Sequence, residues 1–323
     1  MSRNTGVPAR TLNDWKLKHF EDMPGEDEPV DDACITDLAM YLTSRSLPDP
    51  REMVEATKDA GNLASAVILS DLHCPYQHDA AVTVALNMIY RWQPNLVILN
   101  GDYLDLEELS TFAKRPNPTS SLQERLDEAR QLLADIKAAA ATGEVIYVPG
   151  NHEKGRIDRY LWTVAPALAS LRCLTLEALL GLAELGIGYA PDGLELTPEL
   201  FITHGDRFTN VLGGGSGMSA RKEGLDFGCS TVTGHTHKGG LVFRNDRRGY
   251  RANAEGFCLC DRESMAEAGV VKTSTAGKLP DWHLGFTRVD YHTHGEAFNI
   301  EPVHIIQGRN RTFAIVHGEE VAV

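Results

Sequence analysis

From about residue 63 the chain repeats one unit: a short apolar run, a polar motif at its end, and a stretch that suits a helix. Ala66-Val67-Ile68-Leu69-Ser70 stops at Asp71-Leu72-His73 and is followed by helix-compatible residues 79–92. Leu96-Val97-Ile98-Leu99-Asn100 stops at Gly101-Asp102. Val145-Ile146-Tyr147-Val148 stops at Pro149-Gly150-Asn151-His152-Glu153, with a helix expected around 156–170. Short runs this rich in β-formers read as buried strands, and strands alternating with helices argue for an α/β fold with at least one largely parallel sheet. The clearest helix lies between the second and third runs. Ser121 and Glu124 spell a capping box, Leu122, Leu126, Ala129, Leu132, Leu133 and Ile136 share one face, and Gly143 ends it.

The second half changes character. Leu200-Phe201-Ile202-Thr203 stops at His204-Gly205-Asp206, and Ser230-Thr231-Val232-Thr233 stops at Gly234-His235-Thr236-His237. Between them Gly213-Gly214-Gly215-Ser216-Gly217 reads as a loop on the rim, without the Lys-Ser/Thr of a P-loop. Beyond residue 238, strand-like runs at Leu241–Phe243, Gly269–Ser274, Ala297–Ile306 and Thr312–Val316 suit a mainly antiparallel second sheet.

Five strand ends therefore deliver metal-capable side chains: Asp71 with His73, Asp102, Asn151 with His152, His204, and His235 with His237. Carboxyl ends of neighbouring strands share one crevice in α/β sheets, so residues distant in sequence can form one site. The intervals of 31 residues from Asp71 to Asp102 and 49 from Asp102 to Asn151 leave room for helical crossovers. Carboxylates, imidazoles and one carboxamide together suit first-row dications such as Mn²⁺, Fe²⁺ and Zn²⁺.

In order and rough spacing, Asp71-x-His73, Gly101-Asp102, Gly150-Asn151-His152-Glu153, His204 and Gly234-His235-x-His237 resemble the motif set of the calcineurin-like metallophosphoesterases, in particular bacterial or phage members. The resemblance spans about residues 63 to 310. It implies a four-layer αββα sandwich of two mixed β-sheets flanked by helices. It also implies two divalent metals, Mn²⁺ first with Fe, Zn or Ni as alternatives, bridged by Asp102 and by a water or hydroxide that attacks phosphorus. Asp71, His73 and His237 would complete one shell and Asn151, His204 and His235 the other, with His152 acting off the metals on the leaving oxygen or the phosphoryl group. Asp105 and Glu153 are expected to orient histidines or the loop rather than to ligate. His292 and His294 imitate His235-x-His237 but lack the strand-Gly lead-in, and read as surface residues.

The implied activity is phosphate-ester hydrolysis, with phosphodiesters of nucleic acid or nucleotides slightly favoured. A phosphomonoesterase or protein phosphatase, and an inactive binding scaffold of the same fold, are the other readings. Lys154, Arg156, Arg159, Arg207, Arg221, Lys222 and Lys238 flank the motifs and suggest a basic collar, with Arg156, Arg207 and Lys238 the first candidates for substrate. The chain's 31 basic and 45 acidic residues, net −14, argue against a surface that grips nucleic acid or anionic membrane throughout. A local basic cleft is compatible with that balance.

Residues 1–62 form a separate N-terminal extension in this reading, ahead of a catalytic domain over 63–323. Thr5–Lys16 resemble the turn and recognition helix of a helix-turn-helix unit, although an amphipathic helix docking through Leu12, Trp15 and Phe20 suits the same residues. Residues 21–32 hold seven acids and no base, which reads as a solvated linker. No apolar stretch long enough for a membrane span and no apolar signal core is visible, and six scattered cysteines spell neither a disulfide scaffold nor a zinc ribbon. A cytoplasmic protein with ordinary packed thiols at Cys258-x-Cys260 is expected.

Overall fold

Alternation inside the apolar runs decides the layering. In a computed structural model, residues 46–110, 121–208, 215–247, 249–271, 279–295 and 297–323 are described. The three runs form β1 (Leu63–Leu69), β2 (Leu96–Asn100) and β3 (Glu144–Val148), parallel to one another. The described helices are α1 (Pro50–Ala56), α2 (Asp79–Trp92), α3 (Leu122–Ala140), α4 (Glu153–Val164), α5 (Leu176–Leu180), α6 (Met218–Phe227) and α7 (Arg262–Glu267). Val67, Leu69, Val97, Leu99, Val145 and Tyr147 join the apolar faces of α2 and α3 in one cluster. Their neighbours Ala66, Ile68, Leu96, Ile98, Ile146 and Val148 join a second cluster with the other sheet. A one-residue slip would exchange the two faces, and each buried aliphatic side chain is worth about 1.5–3 kcal/mol, so the register is firmly set.

The first sheet has eight strands in the order β13-β12-β11-β10-β1-β2-β3-β4, with β4 (Gly188–Tyr189) parallel to β3. The second has five, β5 (Leu194–Thr197), β6 (Leu200–Ile202), β7 (Ser230–Thr233), β9 (Gly249–Gly256) and β8 (Gly239–Asp246), in that order. Leu200, Ile202, Val232, Ala252 and Ala254 face the first sheet. The alternate residues turn to α6: Thr231 donates to the Ala220 carbonyl at 2.7 Å, and Glu255 accepts the Ser219 N–H at 2.9 Å. Helices, sheet, sheet and helix are the four layers expected, and both sheets are mixed.

Three details differ from the sequence reading. The C-terminal runs β10 (Gly285–His292), β11 (Phe298–Gln307), β12 (Thr312–Val316) and β13 (Glu319–Ala322) do not build the second sheet; β10 pairs antiparallel with β1 and extends the first. An apolar strand buried on both faces leaves its open edge to be paired, and β10 pairs it. Within Gly269–Ser274 the described residues 269–271 are a turn, because α7 ends at Gly269 (φ 72°) and Val270 and Val271 fold back on Cys258, Cys260 and Met265. The helix expected around 156–170 is α4, which begins at Glu153 and stops at Val164; Pro166 follows and opens a single 3₁₀ turn.

Part of the assigned N-terminal extension is fastened to the body. Met53 of α1 joins the cluster between the sheets, Tyr291 donates to the Thr57 hydroxyl at 3.2 Å, and Thr293 donates to the Gly61 carbonyl at 2.6 Å. The helix-turn-helix resemblance, the acidic linker and Gly213-Gly214 lie outside the described residues. No described helix is long and apolar enough to cross a membrane.

Candidate metal centre

The loops that leave β1 and β2 run side by side. Asp71 N–H donates to Gly101 O at 3.0 Å, His73 N–H to Asp102 O at 2.9 Å, and Asp105 N–H to Cys74 O at 3.0 Å. From the second sheet, Gly234 N–H donates to His204 O at 2.9 Å, and His235 N–H meets both Asp71 carboxylate oxygens at 3.1 and 2.9 Å. His152 N–H, at the start of α4, donates to Asp102 Oδ1 at 2.9 Å. Both sheets thus aim strand ends into one crevice.

That convergence strains the backbone. Asp71, His73, Asp102, His235 and His237 all have left-handed φ, between 48° and 65°. Such conformations cost on the order of 1 kcal/mol or more for residues with a Cβ, and they concentrate at functional sites. The motif glycines answer a different need. A Cβ on Gly150 would fall 2.2 Å from Asp102 Oδ1, and one on Gly234 2.6 Å from Asp71 Oδ2.

Two donor groups result. Asp71, His73 and His237 offer atoms within 4.8 Å of one another, as do Asp102, His204 and His235. Asp102 Oδ2 stands between them, 3.2 Å from His204 Nε2 and 3.9 Å from His73 Nε2. In the second group His204 Nε2 and His235 Nδ1 are buried without a hydrogen-bond partner, as is Oδ1 of Asn151, which lines the same cleft as His204. The 3.2 Å approach of His204 to Asp102 is close enough for a hydrogen bond but misaligned for one. Each such orphan costs about 1–3 kcal/mol, a deficit a cation would remove. Nitrogen and oxygen donors of this kind fit first-row dications: Asp71, His73, His237 and Asp102 would hold one, and Asp102, Asn151, His204 and His235 the other.

Partners outside the donor groups fix the rings. His73 Nδ1 faces Asp105 Oδ2 at 3.1 Å, and His204 Nδ1 donates to the Asn100 carbonyl at 2.9 Å. Glu153, fully buried, accepts the N–H groups of Gly150, Asp102 and Leu104 at 2.9, 3.2 and 2.9 Å and the Tyr147 hydroxyl at 2.9 Å. It therefore orders the loops, as expected of it. His152 Nδ1 reaches the Asp105 carbonyl at 3.1 Å, and its Nε2 meets Arg156 Nη2 at 3.1 Å. His152 Nε2 stays 3.8 Å from Asp102, and His152 also shares a set of donor atoms within 4.8 Å of one another with His73 and Asp102.

Electrostatics without a cation show how charge is distributed. Burial pushes Asp71 up to about 6 despite His204. Burial also acts upward on Asp102, but His204 and His152 outweigh it and hold that carboxyl well below its usual range. For His204 burial acts downward, and Asp102 overrides it and raises the imidazole to about 10. Burial lowers His237 to about 3. Asp102 is thus the carboxylate that stays charged in spite of burial at the centre of the site.

Residues 65–239, more than half of the chain, match the family model described as calcineurin-like phosphoesterase. The chain belongs to this family. It is 27% identical over 257 residues to the Gene 54 protein of Mycobacterium phage L5, covering 75% of this chain and 94% of that protein. With the Gene 54 protein of Mycobacterium phage D29 it is 27% identical over 179 residues, 54% of this chain and 69% of that one. The structure of Vps29 from Chaetomium thermophilum aligns over 80% of this chain and 96% of its own at 8% identity and a TM-score of 0.39, too distant to support an argument. Membership implies metal-dependent phosphoester hydrolysis, and in this calcineurin-like phosphoesterase the motif residues that would carry it stand together.

The three residues singled out for substrate fare differently. Arg156 is occupied, its Nη1 donating to Asp105 Oδ1 at 2.9 Å and its Nη2 meeting His152. Arg207 lines a cleft next to the donor groups, over the Phe227 ring at 5.1 Å and paired with Asp226 at 3.3 Å. Lys238 is not among the residues lining that cleft. His292 and His294 are exposed, as expected. Sequence reasoning missed the site's nearness to Cys258 and Cys260, whose sulfurs lie within 4.8 Å of a ring nitrogen of His237. Their C-x-C spacing puts both on one side of an extended segment, the one signal the sequence offered.

Proposed function

We propose that this phosphoesterase hydrolyses phosphodiesters of nucleic acids or nucleotides, with Mn²⁺ as its cation. The observation that carries this reading is a cleft of about 720 Å³ that starts at Asn151, His152 and His204 and continues past Lys154, Arg159, Arg207 and Phe227. A phosphomonoester needs only the end at the donor groups. The basic and aromatic extension suits a second phosphate and a base, which stack and pair with such groups. A larger depression of about 1240 Å³ lies among α1, residues 189–201 and residues 291–295, none of them in the donor groups, and it plays no part in this reading.

When bound, two dications polarise phosphoryl oxygens and make water acidic enough to serve as nucleophile near neutral pH. The chain's own groups do the rest. Asp102 supplies the anion, and Asn151, a neutral donor, limits the negative charge facing the phosphate. Asp105 holds His152 through Nδ1–H and Arg156 donates to its Nε2 at the cleft; once Arg156 gives up that contact to the substrate, Nε2 can carry the proton that His152 hands to the departing oxygen. Burial opposes its charge, yet Asp102 and Asp105 raise its pKa, which favours the protonated form that task requires. The free thiols of the described cysteines suit a reducing compartment, and we place the protein in the cytoplasm.

Turnover of bis-p-nitrophenyl phosphate against p-nitrophenyl phosphate in Mn²⁺, followed by single-stranded DNA, duplex DNA, RNA and cyclic nucleotides, tests the proposal. Preference for the diester and for a nucleic acid or nucleotide is expected. Preference for the monoester would install the phosphatase reading, and no turnover by the metal-loaded protein would leave a binding scaffold.

A further inference from the structure

Three imidazoles of the centre turn one nitrogen toward the other donors and need a partner for the second. His73 finds the Asp105 carboxylate and His204 the Asn100 carbonyl. For His237, among the described residues, the partner is a sulfur: Nδ1 faces Cys260 Sγ at 3.8 Å, with the Trp282 ring packed against the imidazole at 4.0 Å between centroids.

The contact continues beyond Cys260. A ring nitrogen of His237, Cys260 Sγ and Cys258 Sγ all lie within 4.8 Å of one another. Cys258 Sγ donates to the His283 carbonyl at 3.5 Å, and His283 N–H returns to the His237 carbonyl at 2.9 Å. The segment is pinned to the centre as well, because Leu259 N–H donates to Asp71 O at 3.1 Å.

Proton counting gives this chain a direction. A carbonyl only accepts, so the Cys258 proton goes to His283. For Nε2 to present a lone pair to a cation the imidazole proton must sit on Nδ1, so Cys260 sulfur accepts from Nδ1–H and the Cys260 proton is left to turn toward the neighbouring Cys258 sulfur.

We infer that Cys258 and Cys260 form a thiol relay that keeps the His237 proton on Nδ1 and its Nε2 lone pair turned to Asp71 and His73, so that Cys260 is a positioning residue for a metal ligand. The inference rests on the metal-ligating reading of His237 and is independent of the preferred ester.

Calorimetric titration of the metal-stripped full chain with Mn²⁺ tests it, on wild type, Cys260→Ser, Cys260→Ala and Cys258→Ala. The wild type is expected to bind two equivalents. Cys260→Ala should weaken one of them about 10–100-fold and leave the other unchanged, the usual range for losing an orienting partner. Cys260→Ser, which keeps an acceptor and a donor, should recover most of that loss, and Cys258→Ala should weaken the same site less. Should Cys260→Ala not fold, the ranking of Cys260→Ser above Cys258→Ala still decides. Equal affinities in all four proteins would overturn the relay while leaving the metal centre intact, whereas fewer than two equivalents in the wild type would overturn the centre itself. A third equivalent, of Zn²⁺, lost on mutating either cysteine would make the thiols ligands and also refute the relay.

Discussion

His73 and His237 meet through their Nε2 atoms at 3.0 Å, in a pocket where both are buried. The Asp105 carboxylate takes the Nδ1 proton of His73, so His73 Nε2 bears a lone pair, and Asp71 Oδ1 lies 3.1 Å from His237 Nε2. With the His237 proton on Nδ1, as the thiol relay has it, lone pairs so close repel unless a cation stands among them. Chelation should therefore destabilise the protein and Mn²⁺ restore it, by about 2.7 kcal/mol at a free concentration one hundred times Kd. Thermal unfolding in chelator and in Mn²⁺ measures this, and a Tm indifferent to metal contradicts it.

His152 is held at the cleft by Asp105 and Arg156 and lies outside both donor groups proposed to hold the cations. His152→Ala is expected to lower turnover about 10²–10⁴-fold, the range for loss of a general acid, while the protein still binds two equivalents of metal. Steady-state kinetics paired with metal analysis separates the two roles; lost metal with lost turnover would make His152 a ligand.

Gly150→Ala forces a Cβ to within 2.2 Å of Asp102 Oδ1. The Asp102 backbone N lies 2.3 Å from that Cβ as well, so the loop carrying Asp102 has to shift; the variant should bind Mn²⁺ at least tenfold more weakly at both positions and unfold at a lower Tm. Circular dichroism and titration calorimetry check this, with undiminished affinity the adverse result.

His204 carries the pH dependence. In the metal-free protein burial opposes its charge, but Asp102 raises it from 6.5 to about 10. The folded state therefore holds a proton that the unfolded chain releases. The stabilisation is complete below about pH 6.5 and is lost as pH rises toward 10. In chelator, the Tm difference between wild type and His204→Gln should be largest near pH 6 and shrink toward pH 10. With Mn²⁺ bound the ring serves as a ligand, and the shrinkage should vanish.

Arg159 lines the cleft beyond the donor groups. Arg159→Ala should raise KM for an oligonucleotide severalfold, lower the salt slope by about one, and leave turnover of bis-p-nitrophenyl phosphate unchanged. Equal effects on both substrates would place Arg159 at the reacting phosphate instead.

The apolar runs ending in Asp71, Asp102, Asn151, His204 and His235 made the parallel strands and the side chains at their ends legible in the chain, because strand ends and their polar residues are local features. The capping box at Ser121 and Glu124 was legible for the same reason, and both of its hydrogen bonds form. Pairing across long separations was not. That β10 closes the free edge of β1 rather than joining the second sheet follows from which edge is left open once β2 is in place, and no local pattern records it. Nor does any motif show that Arg156 serves Asp105 and His152, or that a sulfur stands behind His237. Apart from His152 and Arg156, four residues apart at the start of α4, those contacts join residues tens of positions apart, and only the pairing of strands within each sheet brings them within range.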